Sequence, residues 1–463
     1  MIEYGIILAV VLVVFWRALL CGYVVDDVVR VPLWRSWREK KFARMSFTKL
    51  LFNACYGAGV FKTPMQEYAF TLCIHAANCC LIYKATGSLI PALLYCVNPV
   101  NNQTAVWLNG RRYALTVLAV LIAWNFHWVA PIAYAFAIFI HHSGAFAPLL
   151  FLFTPLAWIV PVLAPIGAFL GIRRIKKEVI ARKEAFSPNN ELQKIHLGKA
   201  IVYVKSVGYY FWHCILPFKP GMYHQFLYYY SRYDAANKQA YAINFDFIKG
   251  ISVIGFLAYE ALINHNVWAF WFGLFISNFC NIYTVTMNAS DRYCSLANVG
   301  AMVLLSQYIG KLPAPYEAFV LAVFFTLYIL KYQPLFNAYK TIEDFYLYHI
   351  NLTPHSAEPR ALLAARYMEQ RDVMSAFAII KKGLRYNSTD FKLQLIMAQI
   401  FLLLGQFDKG MKTLAIAEKN APNGEHEIVK TEFDKIRKDF EPLMDAQPAP
   451  HVVAVSGKKA KAG

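Results

Sequence analysis

Apolar runs recur throughout the first 333 residues of the chain, and several of them are shorter than a full membrane crossing. A helix of about 20 residues spans the hydrocarbon core of a bilayer, where backbone polar groups must be satisfied internally. Hydrophobic residues make up 58% of the chain and charged residues 16%, whereas a soluble domain carries about 25% charged residues. We therefore expect an all-α, polytopic transmembrane helical bundle. The pattern predicts about eleven spans, near residues 2–22, 67–84, 88–100, 111–125, 127–141, 144–170, 200–217, 245–263, 266–287, 296–310 and 314–332.

The chain carries 46 Lys and Arg against 28 Asp and Glu, a net charge of +18. In a membrane protein such an excess orients loops and meets anionic lipid headgroups. The most basic loop, 171–194, is predicted to be cytoplasmic, which places the end of the first span and everything after about residue 333 on the extracytoplasmic face. Nucleic acid is not an expected partner, because the basic residues are spread over loops with no recognisable binding module.

Two adjacent carboxylates, Asp26 and Asp27, stand where the first apolar run ends. A charge near hydrocarbon is costly, so ionisable residues at this depth are candidates for function. An ordinary polar flank that ends the span is the alternative. The next segment, 28–52, combines Trp with Lys and Arg at near-helical spacing, which is typical of a helix lying in the membrane interface.

The last third of the chain changes character and contains a repeat. Two units, 357–388 and 391–423, each contain two short amphipathic helices, with turns at 370–372 and 405–408. Their period of about 35 residues is close to the 34 of tetratricopeptide repeats. We therefore predict a tetratricopeptide-repeat α-solenoid over 334–441, completed by flanking helices near 334–350 and 424–440. A generic helical-hairpin domain is the alternative, and 442–463 is expected to be a flexible basic tail.

Several motifs occur in a fixed order within the predicted membrane domain, 1–333. They are the pair Asp26-Asp27, the segment 67–83 with His75 and Asn78, the segment 98–115 with Asn98, Trp107 and Gly110-Arg111, the segment 209–223, and the segment 288–300 with Arg292-Tyr293. Together with the repeats, these motifs resemble the GT-C superfamily of integral-membrane glycosyltransferases. The likeness is greatest to transmembrane protein O-mannosyltransferases with tetratricopeptide repeats, and it covers nearly the whole chain.

The resemblance implies an enzyme that moves a sugar from a polyprenyl-phosphate donor to a Ser or Thr hydroxyl of a protein on the extracytoplasmic face. Such a transfer needs a general base for the acceptor and cationic partners for the leaving phosphate. The implied catalytic residues are Asp26, favoured as the base by family analogy, and Asp27. The implied substrate-binding residues are Arg111, Arg112, Arg292, Tyr293, His75, Asn98 and Gln103.

Each of these residues has a simpler interpretation. Arg111 and Arg112 can anchor the loop to headgroups, Asp291 and Arg292 can form a local salt bridge, and His75 is more typical of a satisfied core residue. The aspartate pair can bind a divalent cation, although no further cluster of ligands supports a metal site, and we predict no metal ligands. The partners expected are the lipid-linked sugar donor, membrane lipids and a protein acceptor bound through the repeats.

The chain also departs from the family at three places. Asn98 stands where the family usually has His, Gln103 where it has Glu, and the region 141–146 where a Lys-Glu pair is expected. These differences favour a second hypothesis, a catalytically silent membrane scaffold that recruits a protein partner through its repeats. A third hypothesis, a transporter of lipid-linked sugars, is weakened because the spans show no clear internal duplication.

Overall fold

The computed structural model describes residues 1–25, 27, 61, 63–185, 196–224, 226, 242–280 and 289–421, and isolated positions between 430 and 438. Every regular element in these ranges is helical, which confirms the prediction of an all-α chain. Asp26, the interfacial segment 28–52, most of the flanking segment 424–440 and the tail lie outside the described residues.

The larger, N-terminal part of the chain is a set of packed helices around one large apolar core, with two smaller apolar clusters beside it. The helices are α1 (Ile2–Phe15), α2 (Pro64–Thr86), α3 (Leu89–Val97), α4 (Asn102–Ala105), α5 (Arg111–Asn125), α6 (Ala130–Ile140), α7 (Val160–Ala185), α8 (His196–Ile215), α9 (Phe245–Ala258), α10 (Val267–Ile276), α11 (Ala297–Ile309) and α12 (Ala314–Ala338). Short 3₁₀ segments at Trp16–Leu20, Pro99–Asn101, Leu108–Gly110, His142–Phe153 and Asp291–Cys294 extend or connect them.

Two described helical stretches, Ile2–Leu20 and Ala314–Ala338, are long and apolar enough to cross a bilayer. A third crossing exists if the bent pair Pro99–Ala105 and Leu108–Asn125, which turns through 97°, counts as one span. Large apolar side chains on the outer faces of α1 and α12, such as Leu12 and Phe319, are exposed. An exposed apolar stripe of this kind is unfavourable in water and is compatible with contact with lipid.

Two sequence predictions in the middle of the chain need correction. The predicted span 144–170 is not one helix, because it is a 3₁₀ segment, His142–Phe153, followed by a break before α7 begins at Val160. Pro148 and Pro155 lack the N–H that an α-helix needs there. The predicted basic loop 171–194 is helical up to Ala185, since Lys, Arg and Glu all favour helix.

Close backbone contact joins α8 to α9. A Cβ added at Gly208 would lie 2.6 Å from the Cα of Gly250, well inside normal contact distance. Small residues at a helix interface permit this approach in membranes, where packing rather than water drives association. The contact holds α8 in place, and α8 carries part of the polar interior described below.

The C-terminal helices form successive pairs: α13 (Ile342–Leu352), α14 (Glu358–Glu369), α15 (Val373–Tyr386), α16 (Phe391–Leu403) and α17 (Phe407–Asn420). The predicted turn at 370–372 is confirmed, whereas the second turn spans 404–406 instead of 405–408, because α17 begins at Phe407. Asp372 caps α15 by accepting a 3.0 Å hydrogen bond from the Ser375 N–H, and Gly405 takes φ +72°, which suits glycine. Ala364, Ala376 and Ala398 are fully buried between helices, as their small size suggests.

Candidate functional site

A buried polar segment, 98–110, interrupts the helical chain between α3 and α5. Asn98 begins it: its Oδ1 accepts from the Val100 N–H at 2.9 Å, while its Nδ2 donates to the Cys214 carbonyl at 2.8 Å. Asn98 is fully buried, and it fastens the segment to the end of α8. The structure therefore places this predicted substrate-binding residue in a supporting position.

Asp27 contacts the other end of the same segment. Its side chain is only 2% exposed, and Oδ1 accepts a 3.1 Å hydrogen bond from the backbone N–H of Asn109. A buried carboxylate needs such partners, because its transfer from water without them is strongly unfavourable. The interaction joins the end of the first span to a segment 82 residues away in the sequence.

Arg292 contacts the polar segment from a third direction, within the 3₁₀ turn that precedes α11. Oε1 of Gln103 accepts from the Arg292 backbone N–H at 3.3 Å, from its Nη1 at 3.4 Å and from Ser290 Oγ at 3.0 Å. The guanidinium carbon lies 5.6 Å from the centre of the Trp107 ring and 4.9 Å from that of Tyr293. Arg292 is thus held against aromatic faces, where a cation is stabilised.

Tyr293 forms one wall of this pocket. Its ring stacks on Phe279 with centroids 4.5 Å apart and planes within 6°. Its hydroxyl accepts a 3.4 Å hydrogen bond from Arg292 Nη2. The predicted pair Arg292-Tyr293 therefore acts as one preorganised unit.

The stretch Trp107–Asn109 contacts both the Asp27 carboxylate and the Arg292 guanidinium. Arg112 follows directly, half-buried, with its guanidinium 5.1 Å from the Tyr113 ring and close enough to Arg292 for the two cations to repel. A Cβ at Gly110 would collide with the Gln103 carbonyl, so this tight bend requires glycine. Residues 27, 103–112 and 290–293 therefore converge on one place.

Arg111 is placed differently. It is fully buried and forms an ion pair with Glu67 of α2, Nη2 to Oε2 3.0 Å, and its Nε donates to Thr71 Oγ1 at 2.8 Å. This pair joins α5 to α2. Glu67 was not among the predicted residues, because a single acid in the first turn of an apolar helix gives no signal of a partner 44 residues later.

His75 lies in the apolar core of α2. Its Nε2 is 3.0 Å from the Cys96 carbonyl oxygen, and its ring packs against Phe15 and Tyr95 at centroid distances of 5.1 and 5.8 Å. These contacts satisfy the imidazole within the core. They agree with the interpretation of His75 as a core residue.

Asp291 is a residue whose environment the sequence did not predict. Its fully buried carboxylate is engaged by His213 and His224, not by a partner in its own loop. His213 lies within the motif segment 209–223, but nothing in its spacing points to positions 224 and 291. Only the packing of α8 against the turn at 291–294 brings these side chains together.

No protein-family model, curated protein or solved structure matches the chain. Any function must therefore be inferred from the residues and geometry of this chain itself.

Proposed function

We propose that the chain is a GT-C-type membrane glycosyltransferase that moves a sugar from a polyprenyl-phosphate donor to a Ser or Thr hydroxyl of a protein. The observation that carries the proposal is the position of the stretch Trp107–Asn109 between the Asp27 carboxylate and the Arg292 guanidinium. A base and a phosphate partner beside one another, near the end of a membrane-length helix, suit a donor that enters laterally from the bilayer.

In the proposed reaction the acceptor oxygen attacks the anomeric carbon of the donor. The bond from that carbon to the phosphate oxygen breaks, and its electron pair stays on the phosphate. The hydroxyl proton passes to a carboxylate. Asp26 is the base that the resemblance favours, and Asp27, oriented by the Asn109 N–H, is its immediate neighbour.

The leaving phosphate is assigned to Arg292 together with Arg112. Two neighbouring guanidinium groups that repel each other favour an anion close to both, and Arg binds phosphate through a planar fork. Tyr293, Trp107 and Gln103 hold Arg292 in position. Arg111 is not assigned to the phosphate, because its charge is already neutralised by Glu67. Its role is to support the fold around the site.

The same proposal includes the wider architecture. About eleven spans, some shorter than a full bilayer crossing, would form the membrane domain. Helices α14 to α17 would form tetratricopeptide units that present the acceptor protein on the extracytoplasmic face. The reaction as written needs no metal, although the aspartate pair has the chemistry to bind a divalent cation.

A catalytically silent scaffold is the second candidate. The observation that favours it is that Gln103 and Asn98 are uncharged where the resembled family has Glu and His, and both are occupied by contacts within the protein. The repeats would then recruit a partner without any transfer. Transfer of sugar to an acceptor distinguishes the two candidates directly.

The test is intact-mass analysis of candidate acceptor proteins co-expressed with the wild type, Asp26→Asn or Asp27→Asn. We expect a hexose-sized mass increase with wild type, abolished by Asp26→Asn and reduced by Asp27→Asn, because a general base and its alignment contribute about 10²- to 10⁴-fold. Glu317→Gln, at the start of α12, is a matched control and should transfer normally. Wild-type transfer by both aspartate variants would remove the pair from catalysis, and no modification by wild type would favour the scaffold.

A further inference from the structure

A second polar cluster lies beside the candidate site, on the other face of the turn Asp291–Cys294. It joins His213 of α8, His224 and Asp291. The Asp291 Oδ1 lies 2.7 Å from His213 Nε2 and 2.8 Å from His224 Nε2. The three side chains are almost completely buried, with exposures of 7%, 3% and 0%.

Two of the three groups, Asp291 and His224, are oriented by outer hydrogen bonds. Asp291 Oδ2 accepts hydrogen bonds from the Gly221 N–H at 2.6 Å and from the Asn102 side-chain amide. His224 Nδ1 lies 2.8 Å from the Tyr209 hydroxyl. Outer hydrogen bonds of this type fix the tautomer and direction of metal-binding histidines and carboxylates. The inward atoms, Oδ1 of Asp291 and Nε2 of His224, are thereby aimed at His213.

The cluster opens onto a cavity of about 710 Å³ between α8, α9 and the end of α13. His213 and His224 form part of its wall, as do Lys205, Lys249 and Asp246. A water molecule or an anionic group can therefore reach the two histidines from this cavity. A site with protein ligands on one side and an open side toward a cavity is the usual arrangement of a metal that binds an exchangeable ligand.

We propose that His213, His224 and Asp291 bind one divalent first-row transition-metal ion, such as Zn²⁺ or Fe²⁺, through Nε2, Nε2 and Oδ1. Imidazole with carboxylate is the donor set that these ions prefer, whereas Mg²⁺ and Ca²⁺ favour oxygen alone. The remaining coordination position faces the cavity. This site is separate from the sugar transfer proposed above and does not depend on it.

The distances allow this with small movements. The three ligand atoms all lie within 4.8 Å of one another. A tetrahedral site with bonds of about 2.0 Å separates neighbouring ligands by roughly 3.3 Å. An ion that replaces the shared hydrogen bonds therefore needs the carboxylate oxygen to move away from each histidine nitrogen, now 2.7 and 2.8 Å distant, by only about half an ångström. The carbonyl oxygen of Gly221, 2.8 Å from His224 Nε2, lies next to the same point as an additional oxygen donor.

A hydrogen-bonded His–Asp–His network without an ion would also satisfy these groups, and a different group, His75, Cys79 and Cys96, would offer an alternative metal site in the apolar core. Both alternatives give distinct results in the same experiment. If the three side chains form only a hydrogen-bonded network, the protein binds no ion stoichiometrically. If the ion binds at the group with Cys79 and Cys96, it is coordinated through sulfur.

The test uses the full-length protein in detergent, without a His tag, stripped with EDTA and titrated with Co²⁺ as the probe. X-ray absorption of the loaded wild type should show two imidazoles and oxygen, without sulfur, at one ion per chain. Asp291→Asn, which retains the shape of the side chain, and His213→Gln should weaken Co²⁺ binding by about tenfold to a hundredfold or more. Competition with Zn²⁺ and with Fe²⁺ under anaerobic conditions identifies the preferred ion.

His127→Ala, at a histidine outside both groups, is the control and should bind Co²⁺ as the wild type does. The absorption measurement needs only the wild type, so it decides the question even if a variant fails to fold. Sulfur in the coordination sphere, an unchanged affinity in folded Asp291→Asn, or no stoichiometric binding by the wild type would each overturn the proposal.

Discussion

At the residue scale, the buried arginines of this chain have different roles that their side chains alone do not reveal. Arg111 is paired with the carboxylate of Glu67, whereas Arg292 is held by an uncharged amide and two aromatic rings and has a second cation, Arg112, nearby. A cation whose charge is already neutralised stabilises the fold. One surrounded by neutral groups and another cation is placed to bind an anion.

This difference predicts opposite effects of the same substitution. Arg292→Lys should lower the transfer rate at limiting donor by about tenfold or more, because Lys keeps the charge but lacks the bidentate fork. Arg111→Ala should instead lower the free energy of unfolding by about 3–5 kcal/mol, because it leaves the Glu67 carboxylate buried without its partner. Transfer assays and thermal unfolding in detergent measure the two effects. Full activity of Arg292→Lys would indicate that this residue only anchors the loop.

Gln103 gives a second prediction at this scale. Its Oε1 accepts from Arg292 and from Ser290, so Gln103→Glu keeps the acceptor and should preserve the fold. Gln103→Leu removes the acceptor and leaves these buried donors unsatisfied. It should lower the free energy of unfolding by about 1–3 kcal/mol and abolish most of the transfer activity. Thermal unfolding and transfer assays on both variants test this. Equal loss of stability in the two variants would show that keeping the oxygen acceptor at position 103 is not sufficient to hold the site.

At the element scale, the contact between α8 and α9 decides whether α8 can present His213 to the turn at 291–294. The backbones approach at Gly208 and Gly250, where any side chain would meet the opposite helix. Farther along α9, Gly255 has open space around its Cα. The same residue type therefore has two different roles on one helix.

We expect Gly250→Ala to destabilise the protein by about 1–3 kcal/mol, because the added methyl would collide with the backbone of Val204. Gly255→Ala is the matched control: it should be neutral or stabilising by up to about 1 kcal/mol, because Ala favours helix more than Gly. Thermal unfolding of both variants measures the difference. Equal stability would mean that α8 and α9 are not in close contact.

The capping of α16 is testable by pH. Asp390 accepts from the N–H groups of Lys392 and Leu393, both at 3.1 Å, so Asp390→Ala should cost about 0.5–2 kcal/mol while Asp390→Asn should retain the cap. Burial raises the pKa of Asp390 above its ordinary value of 3.8. The folded state then holds a proton that the unfolded state has released, so wild-type stability should fall as pH rises through the window just above 3.8.

The measurement is the difference in stability between the wild type and Asp390→Asn across that window. The difference should move in favour of the variant as pH increases, because Asn does not titrate. A difference that stays constant with pH would contradict the raised pKa.

At the scale of the whole molecule, charge and apolar runs predict a topology that can be tested independently of any chemistry. The positive-inside rule predicts that the region of Arg173 is cytoplasmic and that Asp27 and helices α14 to α17 lie on the opposite face. The helix Ala314–Ala338 would then be the last crossing before the repeats.

Single cysteines introduced near residue 173 and in the turn at 370–372, in a background without reactive native cysteines, should therefore be labelled from opposite sides by a membrane-impermeant reagent. The cysteine near residue 173 should react only after the membrane is permeabilised, which gives the reagent access to the cytoplasmic face. The turn between α14 and α15 should react from outside. Labelling of both sites from the same side would contradict an odd number of crossings between them.

The sequence by itself determined the properties that depend on local pattern: the all-α class, the positions of most helices, and the paired helices with turns at 370–372 and around Gly405. Hydrophobic periodicity and turn residues are properties of neighbouring positions in the sequence, so they predict local structure without knowledge of the tertiary fold. Only the tertiary structure decided the pairings across the chain, such as Arg111 with Glu67, Gln103 with Arg292, and Asp291 with the two histidines. These contacts depend on which helix faces pack together, and no single segment of a chain carries that information.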